Sequence, residues 1–211
     1  MRRAFFGLAV MSLAALAFAG PAAAASGQVT QVRFQGTFAD AFWFSSTATS
    51  RTDTSVNASE AKQGSGLFVD QFTENFDANG NFTGATDTIA TVTSGFSFAL
   101  HQSLASASLT ASSLPATTCT FDVYFNQIGC SATTIDVSVT WTGMGSITRS
   151  VTNEHFKSDG FSESDHFSGT SRDATATGTI GGITLSASDL QFANLGTTKS
   201  GTITRCIGSS C

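Results

Sequence analysis

The sequence predicts an all-β fold, an antiparallel sandwich or barrel of about ten to twelve strands. Apolar and polar residues alternate with a period of two over many short stretches, as in half-buried strands. Turn-forming pairs such as Asn79-Gly80 and Gly181-Gly182 separate these stretches. Only two prolines occur, and no run with the helical period of 3.6 follows the N-terminal segment. Many short strands joined by turns are typical of sandwiches and barrels.

The N-terminal segment has the order of a secretory signal peptide. Arg2 and Arg3 precede an apolar stretch over residues 4–19, and a run of alanines ends at Ala25. We expect cleavage at or next to Ala24 or Ala25, which leaves residues 26–211 as a single domain. The arginine pair also fits a twin-arginine signal, so the export route stays open. The Ala-rich signal suggests a bacterial protein that is secreted or periplasmic.

The low charge of the chain argues against two classes of binding partner. Charged residues make up 12% of the chain, against about 25% in typical globular domains, and the formal net charge is −5. The lysines are few: Lys62, Lys157 and Lys199. Nucleic acids and anionic lipids need clustered Lys and Arg, so we expect neither as a partner. No stretch after the signal has the apolar length of a membrane helix, so we predict no transmembrane segment in the mature chain.

Residues 32–44 predict one long or two short half-buried strands. A row of apolar residues, mostly Phe, occupies the even positions, and we predict that this row faces the core. Asp40 interrupts the row, which predicts a bend or bulge near residues 39–41. Trp43 falls on the opposite face, packed under a loop or exposed as a platform on which a ligand stacks.

Residues 76–84 predict a hairpin. Phe76 and Phe82 flank Asn79-Gly80, which favours a two-residue turn. Asp77, Asn79 and Asn81 resemble part of a calcium loop, but Gly80 comes too early and no distal Glu follows. Residues 161–169 repeat the spacing of the two Phe and a later Gly. This echo predicts an internal duplication, with halves near residues 26–118 and 119–211, although similar β composition could arise by chance.

The remaining strands are less uniform. Leu104, Leu109 and Leu114 are five residues apart, which fits neither the strand nor the helix period. Over residues 121–125 the alternation predicts that Phe121, Val123 and Phe125 face inward and Tyr124 outward, with a turn at residues 126–129. Residues 135–141 alternate cleanly, with Ile135, Val137, Val139 and Trp141 on one face.

The four cysteines predict two disulfides, because disulfides persist in exported proteins. Pairing each cysteine with its nearest neighbour closes the shortest loops, which gives Cys119–Cys130 and Cys206–Cys211. Other pairings remain open at this stage.

Residues 153–173 hold the densest group of chemically active side chains. His155 and His166 lie there with carboxylates that include Glu163 and Asp165, a donor set that suits zinc or another divalent ion. The two histidines are eleven residues apart, which places them on no common ligand motif. A solvated hairpin is the alternative.

The sequence assigns no activity. We expect an exported, non-enzymatic β-sandwich protein with a binding or structural role at the cell envelope or outside the cell. Its partner would be a polysaccharide or an envelope protein, with Trp43 and Tyr124 as candidate ligand-binding residues. The alternative is a metal-assisted hydrolase that uses the His and acidic residues of segment 153–173. No nucleophile elbow and no phosphate-binding Gly-rich loop are present, so we expect no cofactor.

Overall fold

The structure, a computed structural model, describes residues 28–158 and 161–207, and the predicted signal peptide lies outside these ranges. Within them the chain forms eleven strands and no helix, which confirms the predicted fold class and strand number. The strands are β1 (Gln28–Ser46), β2 (Ser50–Ala61), β3 (Gly64–Phe76), β4 (Phe82–Val92), β5 (Phe96–Leu100), β6 (Ser106–Phe121), β7 (Gln127–Gly143), β8 (Thr148–Ser158), β9 (Phe161–Ile180), β10 (Ile183–Leu185) and β11 (Leu190–Ile207). No described residue belongs to a helix long and apolar enough to cross a membrane.

The chain divides into two compact units. Residues 34–151 and 167–201 belong to the larger unit, and the described residues of 28–33, 152–166 and 202–207 belong to the smaller one. In the larger unit, antiparallel pairings run through β1, β2, β3, β4, β6, β7, β9 and β11 and back to β1. A sheet whose last strand pairs with its first is a closed barrel. The division between the predicted repeat halves, at residues 118 and 119, falls inside β6.

Aliphatic side chains and two tryptophans fill the barrel interior. Trp43 of β1 and Trp141 of β7 are each 1% exposed. Their indole N–H groups donate to backbone oxygens across the interior, Trp43 to Ala176 at 3.3 Å and Trp141 to Asp40 at 2.9 Å. Alanines such as Ala39 and Ala41 occupy the inner positions beside Trp43. The predicted inner face of β7 is confirmed.

The predicted orientation of β1 is wrong. Phe38, Phe42 and Phe44 of the Phe row lie on the outer side of the barrel, where Phe38 and Phe42 are half-buried and Phe44 is exposed. Phe42 stacks there on Phe192 of β11, with ring centroids 5.9 Å apart. The interior of a closed eight-stranded ring is narrow, so one indole between alanines fits where a row of phenyl rings would not.

The predicted bulge at Asp40 is also wrong. β1 and β2 keep one continuous register from Gly36–Ala61 to Ser46–Arg51. Asp40 lies on the outer side, where burial raises the pKa of its carboxyl to about 6 and a hydrogen bond from the Asn194 backbone partly offsets the rise. The strand therefore carries an acid without a bulge in its pairing with β2, because that acid does not enter the core.

A bulge does occur in β6, between Ala111 and Leu114. Ser113 has a positive φ of 53°, and its N–H donates to Asp136 Oδ1 at 2.8 Å. One extra residue in a strand moves every following side chain to the opposite face of the sheet. The bulge therefore lets both Leu109 and Leu114 face inward despite their spacing of five.

Cys119 and Cys130 form the predicted disulfide and are directly opposed in the β6–β7 ladder. The second predicted pair includes Cys211, which lies outside the described residues.

Candidate functional site

Two hairpin turns at one end of the barrel share a sequence pattern, Phe-Asp-x-x-x-Asn. The first, residues 77–81, joins β3 to β4, and the second, residues 122–126, joins β6 to β7. The predicted hairpin at Asn79-Gly80 is present, but its loop has five residues rather than two. The predicted continuation of the strand over residues 121–125 is wrong, because β6 ends at Phe121. Val123 and Phe125 lie in the second turn.

An aspartate organises each turn in the same way. Asp77 Oδ1 accepts hydrogen bonds from the backbone N–H groups of Asn79 and Asn81, at 2.9 and 2.8 Å. Asp122 Oδ1 accepts the equivalent bonds from Tyr124 and Asn126, at 2.8 and 2.9 Å. In both turns the side-chain amide of the final Asn donates to the carboxylate and lowers its pKa. The turns are therefore rigid supports for the side chains that they carry.

The two turns are neighbours because β4 pairs with β6. Phe82 stacks on Phe125 with ring centroids 4.5 Å apart, and Phe76 meets Phe82 edge-on at 6.1 Å. Tyr124, the predicted ligand-binding residue, is 81% exposed at the tip of the second turn, and Ile128 beside it is also exposed. The barrel rim thus presents an aromatic and aliphatic surface to solvent.

Below this rim, strand register places nine uncharged polar residues in two adjacent rows on the inner face of the barrel. Side chains alternate across a sheet, so opposed residues of paired strands share a face. The inner row consists of Thr54, Gln71, Thr88, Thr118 and Ser131, and the outer row consists of Thr52, Thr73, Thr86 and Thr120. We call these two rows the hydroxyl rows.

The hydroxyl rows lie where the barrel opens. In the described pairings β7 meets β9 only from Val137 to Gly143, so the first part of β7 extends past the closed ring. The inner positions change there from buried apolar residues such as Val69 and Ala90 to half-buried threonines such as Thr86 and Thr88. The inner face of the barrel therefore reaches solvent at this mouth.

The row residues bond to one another but retain free hydrogen-bonding capacity. Thr52 and Thr73 hydroxyls are 3.0 Å apart, and Thr88 and Thr118 hydroxyls are 2.9 Å apart. A hydroxyl has one donor and two acceptor sites, so each such pair keeps one donor and three acceptor sites for other partners. Nε2 of Gln71 is buried and has no hydrogen-bond partner among the described residues, which leaves an amide donor unsatisfied inside the mouth.

Two cavities adjoin the hydroxyl rows. The inner cavity, about 300 Å³, is lined by row residues Gln71, Thr88 and Thr118 and by the β9–β10 turn at Gly181-Gly182. Gln71 reaches this turn from β3, since a Cβ built on Gly181 would lie 3.7 Å from Gln71 Oε1. The outer cavity, about 350 Å³, also holds rim residues; its lining includes Thr86, Thr120, Phe121, Val123 and Ile128. We call the hydroxyl rows and these two cavities the mouth site.

Trp43, the other predicted ligand-binding residue, lies in the core rather than under a loop or at the surface. Its buried ring offers no open face for stacking. The structure therefore does not bring Trp43 and Tyr124 together on one surface.

The predicted metal ligands lie in the smaller unit. His155 and His166 are exposed, and Nδ1 of His166 is hydrogen-bonded to Asn153 Oδ1. Glu163 pairs with Arg205, and burial, together with the charges of Glu163 and Glu154, raises the pKa of Asp165.

Strand alternation separates these predicted ligands. In β9, Glu163 and Asp165 occupy positions of one parity and His166 the other, so the carboxylates and this imidazole point to opposite faces. Within the described ranges, no group of three or more His, Cys, Asp or Glu side chains could hold a metal ion.

The residues of the mouth site are not among those predicted from the sequence, although the sequence carries one signal of its position. Phe76-Asp77 and Phe121-Asp122 are each followed by Asn at the same spacing, and these two segments form the matching turns. Residues 161–169, which were predicted to repeat the hairpin of residues 76–84, instead lie within strand β9. Comparisons of the chain with protein-family models, with curated proteins and with solved structures find no match.

Proposed function

We propose that the chain is an exported, non-enzymatic β-barrel module that binds a neutral polysaccharide at the mouth site. One observation carries the proposal: register aligns nine uncharged hydrogen-bonding side chains on the inner face of the barrel, and all of them except the buried Thr52 and Thr54 are half-buried or exposed at the mouth. Barrel mouths are common positions for ligand sites.

The chemistry of the rows favours a neutral polyhydroxylated ligand. Hydroxyl and amide groups donate and accept hydrogen bonds without charge, as sugar hydroxyls do. Asp136 also lines the inner cavity, but its Oδ1 already accepts the N–H of Ser113. The negative net charge of the chain disfavours an anionic ligand.

The aromatic rim supports the same ligand class. Sugar rings present faces of C–H groups that pack on aromatic rings, and Tyr124 and Phe125 are exposed beside the outer cavity. A glycan that leaves the hydroxyl rows would pass these rings.

The rows supply hydrogen bonds but no acid or base. Glycoside hydrolysis uses two carboxyl groups that flank the scissile bond. None of the nine row residues titrates in the physiological range. Asp136 and Asp122 line the two cavities, but each carboxylate accepts at least one backbone N–H group, so we propose binding and no reaction at the site.

Retention on insoluble polysaccharides tests the proposal. Residues 26–211 would be incubated with cellulose, xylan, chitin and cross-linked dextran, with polygalacturonate as the anionic comparison. We expect retention on at least one neutral polymer and none on polygalacturonate. Thr88→Val and Gln71→Ala should weaken binding about tenfold, the effect of roughly one lost hydrogen bond.

Thr140→Val is the matched control, because Thr140 is an exposed threonine of β7 on the outer face. Its affinity should equal that of the unmodified chain. The proposal fails if no neutral polymer retains the protein, or if the control loses as much affinity as Thr88→Val.

A further inference from the structure

The two cavities of the mouth site differ in chemistry. The inner cavity is lined mainly by hydroxyl, amide and backbone groups, whereas the outer cavity includes Phe121, Val123 and Ile128. Ile128 and Val123 are exposed at the rim. A ligand that fills both cavities meets polar groups first and apolar groups nearer to solvent.

The cavities are close enough for one molecule. Thr86 and Thr120 line the outer cavity, and Thr88 and Thr118 line the inner one. Thr86 and Thr88 are two residues apart along β4, and Thr118 and Thr120 are two residues apart along β6. Two residues of a strand span about 6.6 to 6.8 Å. One chemical group beyond a bound sugar ring therefore reaches the outer cavity.

The inner cavity also has a closed end. The inner positions beyond the hydroxyl rows are filled by Val56, Val69 and Ala90, all buried. On the side of β2, β3 and β4 the buried core therefore begins directly beyond the inner row, and the polar end of a ligand lies against that row. The unsatisfied Nε2 of Gln71 is a donor for an oxygen of that end.

We infer that the mouth site, in the binding function proposed above, holds the end of a neutral glycan that carries an apolar substituent. The polar head occupies the inner cavity, where Gln71 Nε2 and the free hydroxyl sites of Thr88 and Thr118 bind it. The apolar group occupies the outer cavity against Val123 and Ile128. An alkyl glycoside or a neutral glycolipid combines both parts, so we expect it to bind more tightly than an unsubstituted sugar chain.

Calorimetric titration with short alkyl glycosides, at concentrations below micelle formation, tests this inference. The probes are methyl and hexyl β-glucosides, the matching β-galactosides, and hexyl sulfate as an anionic amphiphile. We expect a hexyl glycoside to bind at least about tenfold more tightly than its methyl counterpart, because the longer chain buries apolar surface. Hexyl sulfate should bind at least about tenfold more weakly than the hexyl glycoside.

Two variants separate the cavities. Ile128→Ser should remove most of the advantage of the hexyl chain and leave methyl glycoside affinity unchanged, whereas Gln71→Ala should weaken both glycosides. Ile183→Ser is the control, since Ile183 is an exposed isoleucine that lines neither cavity. It should change neither affinity.

The outcomes distinguish the two proposals. Equal affinity for methyl and hexyl glycosides, or for hexyl sulfate and the hexyl glycoside, would overturn the proposal of an amphipathic ligand. Retention on a neutral polysaccharide would still support the proposed polysaccharide binding in that case. Tight binding of a hexyl glycoside without retention on any polymer would support a glycolipid ligand and overturn the proposal that the mouth site binds a polysaccharide. Absence of all carbohydrate binding would overturn both.

Discussion

Phe125 stacks on Phe82, with ring centroids 4.5 Å and ring planes 12° apart, although the two residues belong to different hairpins. Phe125 holds a positive φ of 62°, a left-handed conformation that costs a residue with a Cβ about 1–2 kcal/mol. The equivalent position in the first turn is Gly80, with a φ of 81°. The second turn thus keeps a disfavoured backbone conformation at a residue whose ring completes the aromatic rim.

Replacing Phe125 by Ala and by Gly should separate the ring from the backbone. Both variants lose the stacking, but only Gly relieves the left-handed strain. We expect Phe125→Gly to be more stable than Phe125→Ala by about 1 kcal/mol, the reverse of the usual order in a strand. Urea unfolding followed by tryptophan fluorescence measures both free energies.

Gly80→Ala is the matched control in the first turn. A Cβ on Gly80 meets no atom within 4 Å, so any loss reflects conformation and not a clash. We expect a loss of about 1 kcal/mol. If Phe125→Ala matched or exceeded Phe125→Gly in stability, the strain assigned to the second turn would be absent.

Truncation of neighbouring aromatic residues tests which face of β1 is the core. Trp43 is buried and donates a hydrogen bond across the barrel, whereas Phe44 is 38% exposed on the outer side. Trp43→Ala should lower the free energy of unfolding by about 3–5 kcal/mol, the usual range for a buried aromatic residue. Phe44→Ala should lower it by about 1 kcal/mol, the centre of the range for ordinary substitutions. Thermal or urea denaturation gives both values, and the opposite order would mean that the Phe row is the core.

The sequence could predict the strands but not which face of β1 turns inward. Alternation separates the Phe row from Ala39, Ala41 and Trp43, and both sets are apolar. The choice depends on the width of the interior, which is set by the pairing that closes β11 on β1. That pairing joins residues far apart in the chain, and no local pattern encodes it.

The mouth site could not be predicted from the sequence for a related reason. Its rows take one or two residues from each of five strands, and their alignment depends on the register of every pairing between those strands. The bulge at Ser113 alone reverses the facing of Thr118 and Thr120. The disulfide was easier to predict, because Cys119 and Cys130 flank a single hairpin.

Removal of that disulfide should destabilise the barrel next to the mouth site. The bond links opposed residues of β6 and β7 that are eleven residues apart. A loop of this length corresponds to about 2–3 kcal/mol in the chain-entropy account. The double variant Cys119→Ser and Cys130→Ser should lose this amount in urea unfolding. A loss near zero would show that the hairpin is equally restricted in the unfolded chain without the bond.

A cluster of three carboxylates, Asp53, Asp70 and Asp87, lies on the outer face of β2, β3 and β4. Burial, then a side-chain hydrogen bond with Asp87 and its charge, raise the pKa of Asp70 to about 7, and Asp53 adds to the rise. Oδ1 of Asp70 and Oδ1 of Asp87 are buried without a hydrogen-bond partner among the described residues. The folded protein therefore holds a proton on Asp70 that the unfolded chain releases above its ordinary pKa.

A raised carboxyl pKa means that the folded state binds more protons than the unfolded state between about pH 4 and about pH 7. The free energy of unfolding should therefore fall as pH rises through this window. Because Asp70 is partly exposed, we expect solvent screening to limit its share to about 1–2 kcal/mol. Asp40, with its pKa raised to about 6, adds a fall in the same direction.

Asp70→Asn should flatten this dependence, because the amide can still donate to Asp87 but no longer ionises. Urea unfolding at about pH 4.5 and about pH 7.5 should show a smaller difference for Asp70→Asn than for the unmodified chain. Thr140→Val is the comparison, a substitution of an exposed residue of β7 that changes no titratable group, and it should keep the full difference. An unchanged pH dependence in Asp70→Asn would mean that Asp70 is ionised in the folded protein and that the cluster binds no extra proton.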